Sequence, residues 1–162
     1  MIIGLARVDD RLIHGQVATV WTKEANISRI IVISDDVAED KLRTTLLKQV
    51  APPGVKASVV DIEKSVRVFN NPKYADDRVM LLFTTPLDAE RVIEAGIPIK
   101  ELNIGGISYK EGKVQLNKSN FVNKDEADSL RRLADQGVDL DVRGVVNDSR
   151  EDMIQLLDSK NM

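Results

Sequence analysis

The sequence predicts an α/β protein, a single domain on an open, twisted, mostly parallel β-sheet with helices on both faces. Three observations predict it. Apolar, β-branched runs alternate with segments of helical period along the whole chain, which implies parallel strands joined by crossover helices. The runs 29–34 and 78–83 are almost wholly apolar, as strands covered on both sides must be. The chain has 162 residues with no repeat or linker, which suits one compact domain over residues 1–162.

Each element follows from a local signal. Residues 2–8 read as the first strand, closed by the polar turn Asp9-Asp10-Arg11. Residues 15–25 read as a helix with Val17, Val20 and Trp21 on one face, Trp21 being at core spacing. After the strand at 29–34, residues 36–50 read as one helix with Leu42, Leu46 and Val50 at helical spacing. It stops at Ala51-Pro52-Pro53-Gly54, where proline cannot continue it. A strand at 55–60 and a helix at 62–69 follow, closed by Asn70-Asn71-Pro72. The strand at 78–83 runs into Thr84-Thr85-Pro86, the helix at 88–95 ends on Gly96, and a strand at 99–104 runs into Gly105-Gly106. Residues 107–116 resemble a hairpin or short edge strand. Asn123 and Glu126 form a capping box before a helix with Ala127, Leu130 and Leu133 inward, ended by Gly137. A last strand spans 138–146, and a last helix 149–157 opens with Ser149 and Asp152 at capping-box spacing.

Composition narrows the function classes. With 43% hydrophobic residues, 30% charged and a net charge of -3, there is no basic excess for nucleic acid. No cysteine is present, so disulfides, thiol nucleophiles and thiolate metal sites are all excluded. No apolar run approaches the roughly 18 residues that would span a bilayer, so direct membrane insertion is not expected.

In such sheets, sites form beyond the carboxyl ends of the strands. Three such loops stand out: residues 9–16, Thr84-Thr85-Pro86 and Asn103-Ile104-Gly105-Gly106. The first holds His14, the only histidine, where the chain turns into a helix. A phosphoryl group on that imidazole would meet the free N–H groups of Gly15, Gln16 and Val17 at the positive end of the helix. Gly15 has no Cβ to keep a phosphate from the backbone. Arg11 and Arg7 are placed to neutralise phosphate oxygens. Asp9 or Asp10 is placed to accept the second imidazole N–H and so fix which nitrogen is nucleophilic. Each residue also has an ordinary role open to it: a turn for the aspartates, ion pairs for the arginines, packing for Trp21, a tight turn for Gly105-Gly106. Convergence in one loop favours chemistry.

Other chemistries lack their motifs. Five residues separate Gly106 from Gly112 and Val114 follows Lys113, so the spacing and the Ser or Thr of a P-loop are both missing. No G-x-G-x-x-G follows a strand, no Gly-x-Ser-x-Gly occurs, and one histidine without cysteine makes no zinc site. No cofactor or metal is expected. A receiver-like signalling domain would use Asp9-Asp10, Asp61 and Thr84 or Thr85, but Asn103-Ile104-Gly105-Gly106 stands where its lysine belongs. A regulatory protein that kept the fold without the activity is the second alternative.

The stretch Arg7-Val8-Asp9-Asp10-Arg11-Leu12-Ile13-His14-Gly15-Gln16-Val17 resembles the active-site signature of mannose/fructose/sorbose-type IIB components of the sugar phosphotransferase system (PTS). The resemblance continues through Arg43-Thr44-Thr45-Leu46-Leu47, Ala51-Pro52-Pro53-Gly54, Tyr74, Leu82-Phe83-Thr84 and Leu102-Asn103-Ile104-Gly105-Gly106, in the expected order. It implies a cytoplasmic phosphoryl carrier, membrane-associated only through its partners. His14 would accept the group from a phosphohistidine of a IIA component, with Nδ1 the favoured nitrogen. It would pass it to a sugar entering through the membrane IIC and IID components, which makes the chain a phosphohistidine–sugar phosphotransferase. Arg11 matches the phosphate-contacting arginine of that signature, Arg7, Asp9 and Asp10 line the same loop, and Thr84 matches a neighbouring pocket loop. No IIA domain is attached, so that partner is expected on a separate chain or on another part of a longer native protein.

Overall fold

The computed structural model describes residues 1–15 and 17–162. The strands are β1 (Ile2–Asp9), β2 (Arg29–Ile33), β3 (Lys56–Val60), β4 (Arg78–Phe83), β5 (Glu101–Gly106), β6 (Val114–Gln115), β7 (Phe121–Val122), β8 (Asp139–Val142) and β9 (Glu151–Asp152). Seven form one sheet in the order β3-β2-β4-β1-β5-β8-β9, parallel throughout except for the β8–β9 pair, while β6 and β7 make a separate hairpin. The predicted fold class is therefore the observed one.

Side chains alternate across a strand with a period of two, so one apolar run supplies two cores. In β4, Val79, Leu81 and Phe83 join the cluster on one face, and Met80 and Leu82 join the cluster on the other. The first face is covered by α4 (Ile62–Phe69), α5 (Pro86–Glu94), α6 (Lys124–Asp135) and α7 (Met153–Ser159), whose apolar residues belong to that cluster. The second is covered by a π-helical segment, Val17–Trp21, running into α1 (Thr22–Glu24), and by α2 (Asp35–Glu39) and α3 (Lys41–Gln49). The connection after β1 thus takes the second face, and α5 after β4 takes the first. β1 and β4 are neighbours, so their carboxyl ends border the crevice where such sheets bind ligands.

Several local expectations change. The helix read over 36–50 is two helices, because Asp40 leaves helical geometry (φ -88°, ψ 96°) and its side chain accepts from the Arg43 N–H. Restarting at Lys41 resets the phase. Leu47 turns inward, while Leu42 and Leu46, expected inside, are 71% and 52% exposed. Asp40→Ala should cost about 1 kcal/mol, the ordinary value of an N-cap, read as a lower urea midpoint with unchanged slope. The strand expected over 138–146 is only Asp139–Val142. The last helix is capped by Asp152, which accepts from Gln155, and not by Ser149. The Asn123–Glu126 capping box is present in full.

Candidate functional site

β1 delivers the site. Its second-face positions include Leu5, which packs against the second core. Arg7 and Asp9 lie two and four residues further on, and the same period turns them to that face. Asp9 ends the strand. The Leu12 N–H then donates to the Asp9 carbonyl at 2.9 Å, and Leu12 takes a left-handed conformation, φ 61°. That conformation costs about 1 kcal/mol for a side chain with a Cβ, and burial offsets it: Leu12 and Ile13 both sink into the core beside Val17 and Trp21. With its neighbours anchored, His14 is left at the surface with its side chain 25% exposed. The His14 carbonyl accepts from Ala18 at 3.1 Å, so the imidazole stands at the entrance of the first helix. Gly15 there is exposed, at φ 22°, with open space where a Cβ would project.

Asp9 is the hub. Its carboxylate is fully buried, 2.9 Å from Arg7 Nη2, 3.3 Å from Arg11 Nε and 3.1 Å from His14 Nε2. Burial pushes this carboxyl up, yet the Arg7 guanidinium, with hydrogen bonds from His14 and Arg11, holds it below the ordinary carboxylate range. An ionised carboxylate only accepts hydrogen bonds, so the imidazole must carry its proton on Nε2. In the neutral ring that leaves Nδ1 as the nitrogen with the free lone pair.

The two aspartates of the pair separate here. Asp10 faces away from the ring and accepts from the Ser108 N–H at 2.7 Å and the Ser108 hydroxyl at 2.8 Å, tying the histidine loop to the segment after β5. Arg7 also departs from expectation. Read from the sequence as a partner for phosphate, it is only 1% exposed. Its Nη1 donates to Asn103 Oδ1 and to the Arg143 carbonyl, and its Nη2 donates to Asp9 and, at 2.9 Å, to the Gly144 carbonyl. The guanidinium lies under the carboxylate and away from solvent. Arg11, by contrast, is 57% exposed. It borders a cleft of about 400 Å³ lined also by Asp10, Ser34, Thr84, Thr85 and Ser108. Thr84 thus shares a cleft with Arg11, and its hydroxyl donates to Asp88 at 3.4 Å. Gln16 lies outside the described residues.

The sequence reading assigned no role to Asn103, Arg143 or Gly144. A signal for Asn103 existed, since it stands between Leu102 and Ile104 in the predicted strand and opens one of the three loops singled out above, and it proves fully buried. Nothing local marks the Arg143 and Gly144 carbonyls, which reach Arg7 from more than 130 residues along the chain. Trp21 is core, as expected, and its indole N–H donates to the same Gly144 carbonyl at 3.2 Å. Among the described residues no group of three or more histidine, cysteine or acidic side chains is gathered as for a metal ion, and no helix is long and apolar enough to cross a membrane.

The architecture is that of an open α/β domain presenting one histidine, backed by a buried carboxylate, at the end of its first strand. The family model for the "PTS system sorbose subfamily IIB component" matches residues 3–162, and the chain belongs to that family. It is 55% identical over 157 residues to the "PTS system mannose-specific EIIAB component" of Escherichia coli (strain K12), a match covering 97% of this chain and 49% of that protein. The chain therefore spans about half the length of these mannose-specific relatives. The "PTS system sorbose-specific EIIB component" of Lacticaseibacillus casei is 49% identical, covering 98% of this chain and 96% of the relative. The solved IIBSor domain of the sorbose permease from Klebsiella pneumoniae superimposes with a TM-score of 0.95 at 46% identity, covering 98% of both chains.

Proposed function

We propose that this chain is a cytoplasmic phosphoryl carrier that takes a phosphoryl group on Nδ1 of His14 from a phosphohistidine of a IIA component. It passes the group to a hexose or related sugar entering through IIC and IID membrane components, which also hold the chain at the membrane. The observation that carries this reading is the contact of buried, ionised Asp9 with His14 Nε2, 3.1 Å long. It leaves Nδ1 as the nucleophile and steadies the positive charge that the ring gains on phosphorylation. Phosphoryl transfer asks a protein mainly for positioning and charge stabilisation. Arg11 at the surface and the N–H groups where the helix begins supply the latter. A shallow, open site suits a donor that is itself a protein surface.

The receiver-like alternative has lost its support, because Asp9 and Asp10 are engaged with Arg7, His14 and Ser108 and are not left free to gather a cation. The test is transfer of labelled phosphate from phosphoenolpyruvate through the general phosphotransferase proteins and a matching IIA, comparing wild type with His14→Ala. The expected result is acid-labile, base-stable label on wild type and none on the variant. An unlabelled wild type beside a phosphorylated, cognate IIA would refute the carrier role.

A further inference from the structure

A buried layer underlies Asp9. The Arg7 guanidinium reaches the carboxylate from below, and Asn103 Oδ1 accepts from its other terminal nitrogen. The Asn103 amide is itself oriented, since its Nδ2 donates to the Asp141 carbonyl at 3.0 Å and the Arg143 carbonyl at 3.2 Å. Room for this fork comes from a bulge: Val8 pairs with Ile104 and Asp9 with Gly106, so β5 has one residue more than β1 at this step, Gly105. Any Cβ at Gly105 would collide with the Arg7 guanidinium.

We infer that Arg7 and Asn103 are positioning residues for phosphoryl transfer at His14, acting through Asp9 to fix the tautomer of the ring. The inference rests on the carrier role proposed above. A buried ion pair is poor value as a source of stability, since apolar packing of the same volume commonly does as well. Its use lies in the state it imposes on Asp9. The groups facing that carboxylate are Arg7, Arg11 and His14, with the Asp141–Arg143 pair one step beyond Asn103. Arg11 is screened by solvent, so Arg7 is the cation that keeps a buried carboxylate charged. Deprived of it, Asp9 would take up a proton and donate it to Nε2. The ring proton would then move to Nδ1 and cover the nucleophile. Asn103 suits its place because a neutral oxygen orients the guanidinium without competing with Asp9 for its charge.

The step balances without a further reactant. The Nδ1 lone pair attacks phosphorus in line as the donor's P–N bond breaks, and that electron pair stays on the donor ring, which leaves as neutral imidazole. The His14 ring becomes a phosphorylated imidazolium whose Nε2–H remains on Asp9.

The test uses phosphoramidate as a small chemical donor and the ¹⁵N shifts of the sole imidazole, on wild type, Asn103→Asp, Arg7→Gln and Arg7→Lys, with folding checked by circular dichroism. Wild type should show the Nε2–H tautomer at neutral pH. Asn103→Asp, which draws Arg7 off Asp9, should mix the tautomers, raise the acid limb of the rate profile and slow phosphorylation about tenfold or more. Arg7→Gln, which takes the charge from beneath Asp9, should likewise move the ring proton toward Nδ1 and slow phosphorylation, and Arg7→Lys, which restores the charge, should recover much of both. A folded Asn103→Asp or Arg7→Gln variant with wild-type shifts and rate would overturn the inference. A wild type that takes no phosphoryl group at all would instead strike at the carrier role, while its tautomer response still reported on Arg7 and Asn103.

Discussion

Asp9→Asn is expected to slow phosphoryl transfer to His14 roughly 10³-fold or more, the scale seen when a tautomer-fixing carboxylate is replaced by its amide. The substitution changes almost no volume. It removes the charge and puts an NH₂, which can only donate, in the place of one oxygen: turned toward Nε2 it forces the ring proton onto Nδ1, and turned away it still leaves the phosphorylated ring without a counter-charge. The same change leaves Arg7, 1% exposed, without its counter-charge, which costs about 3–5 kcal/mol when one partner of a buried pair is removed. Urea denaturation would read the second effect and rapid-quench transfer from phosphorylated IIA the first, with rates normalised to the folded fraction. The sign of the pH dependence follows from the lowered carboxyl of Asp9. Its contribution is present above the ordinary carboxylate range and is lost only as pH falls through its lower folded value. Wild-type transfer between pH 5 and pH 7 should therefore show no acid limb from Asp9; a limb there that Asp9→Asn removed would contradict the assignment.

The neighbouring aspartates show how far the sequence carried this reading and where it stopped. Asp9 and Asp10 are chemically identical and adjacent, so no motif decides which faces the histidine. The decision is made by the strand: the period of two gives Asp9 the face of Arg7, and the turn gives Asp10 to Ser108. The place of His14 was legible because a lone histidine at a strand-to-helix junction is a local pattern. Arg143 and Gly144 were not, and Asn103 stood out only as part of a loop, because the contacts all three make exist only after β5 and β8 lie beside β1. Arg7 was legible as important and misplaced in role, since the sequence shows a cation near the loop but not the burial that turns it beneath Asp9. The sheet was read well because β2 and β4 are buried on both faces, which writes their burial into every residue. The break at Asp40 was not, because one capping side chain outweighs an apolar spacing that looks equally good on paper. Period and punctuation located the strands and most of the helices, whereas contacts that depend on which strands meet were out of their reach.

Arg11→Ala should lower the rate of transfer about 10²- to 10³-fold, the loss typical when one charge-stabilising donor is taken from a transition state. Its stability should change by no more than about 0.5 kcal/mol, as for other exposed positions. Arg11 is held to Asp9 by two long contacts, 3.3 Å through Nε and 3.4 Å through Nη2. Arg7 makes a 2.9 Å bond to the same carboxylate from a fully enclosed position. The looser arginine is the one able to leave Asp9 when a doubly charged phosphoryl group arrives, at little cost in broken bonds. Arg11→Lys should recover only part of the rate, because an ammonium meets phosphate as a point charge and not through a two-pronged contact. The two arginines thus make opposite predictions in one assay. Loss of Arg11 should leave the fold intact and the histidine tautomer unchanged while transfer fails; disturbance of Arg7 should shift the tautomer first. Wild-type transfer in Arg11→Ala would mean that the phosphoryl charge is met elsewhere on the cleft, where Arg43 and Lys110 are the remaining cations beyond the Lys113–Glu126 pair, and the surface role would pass to them.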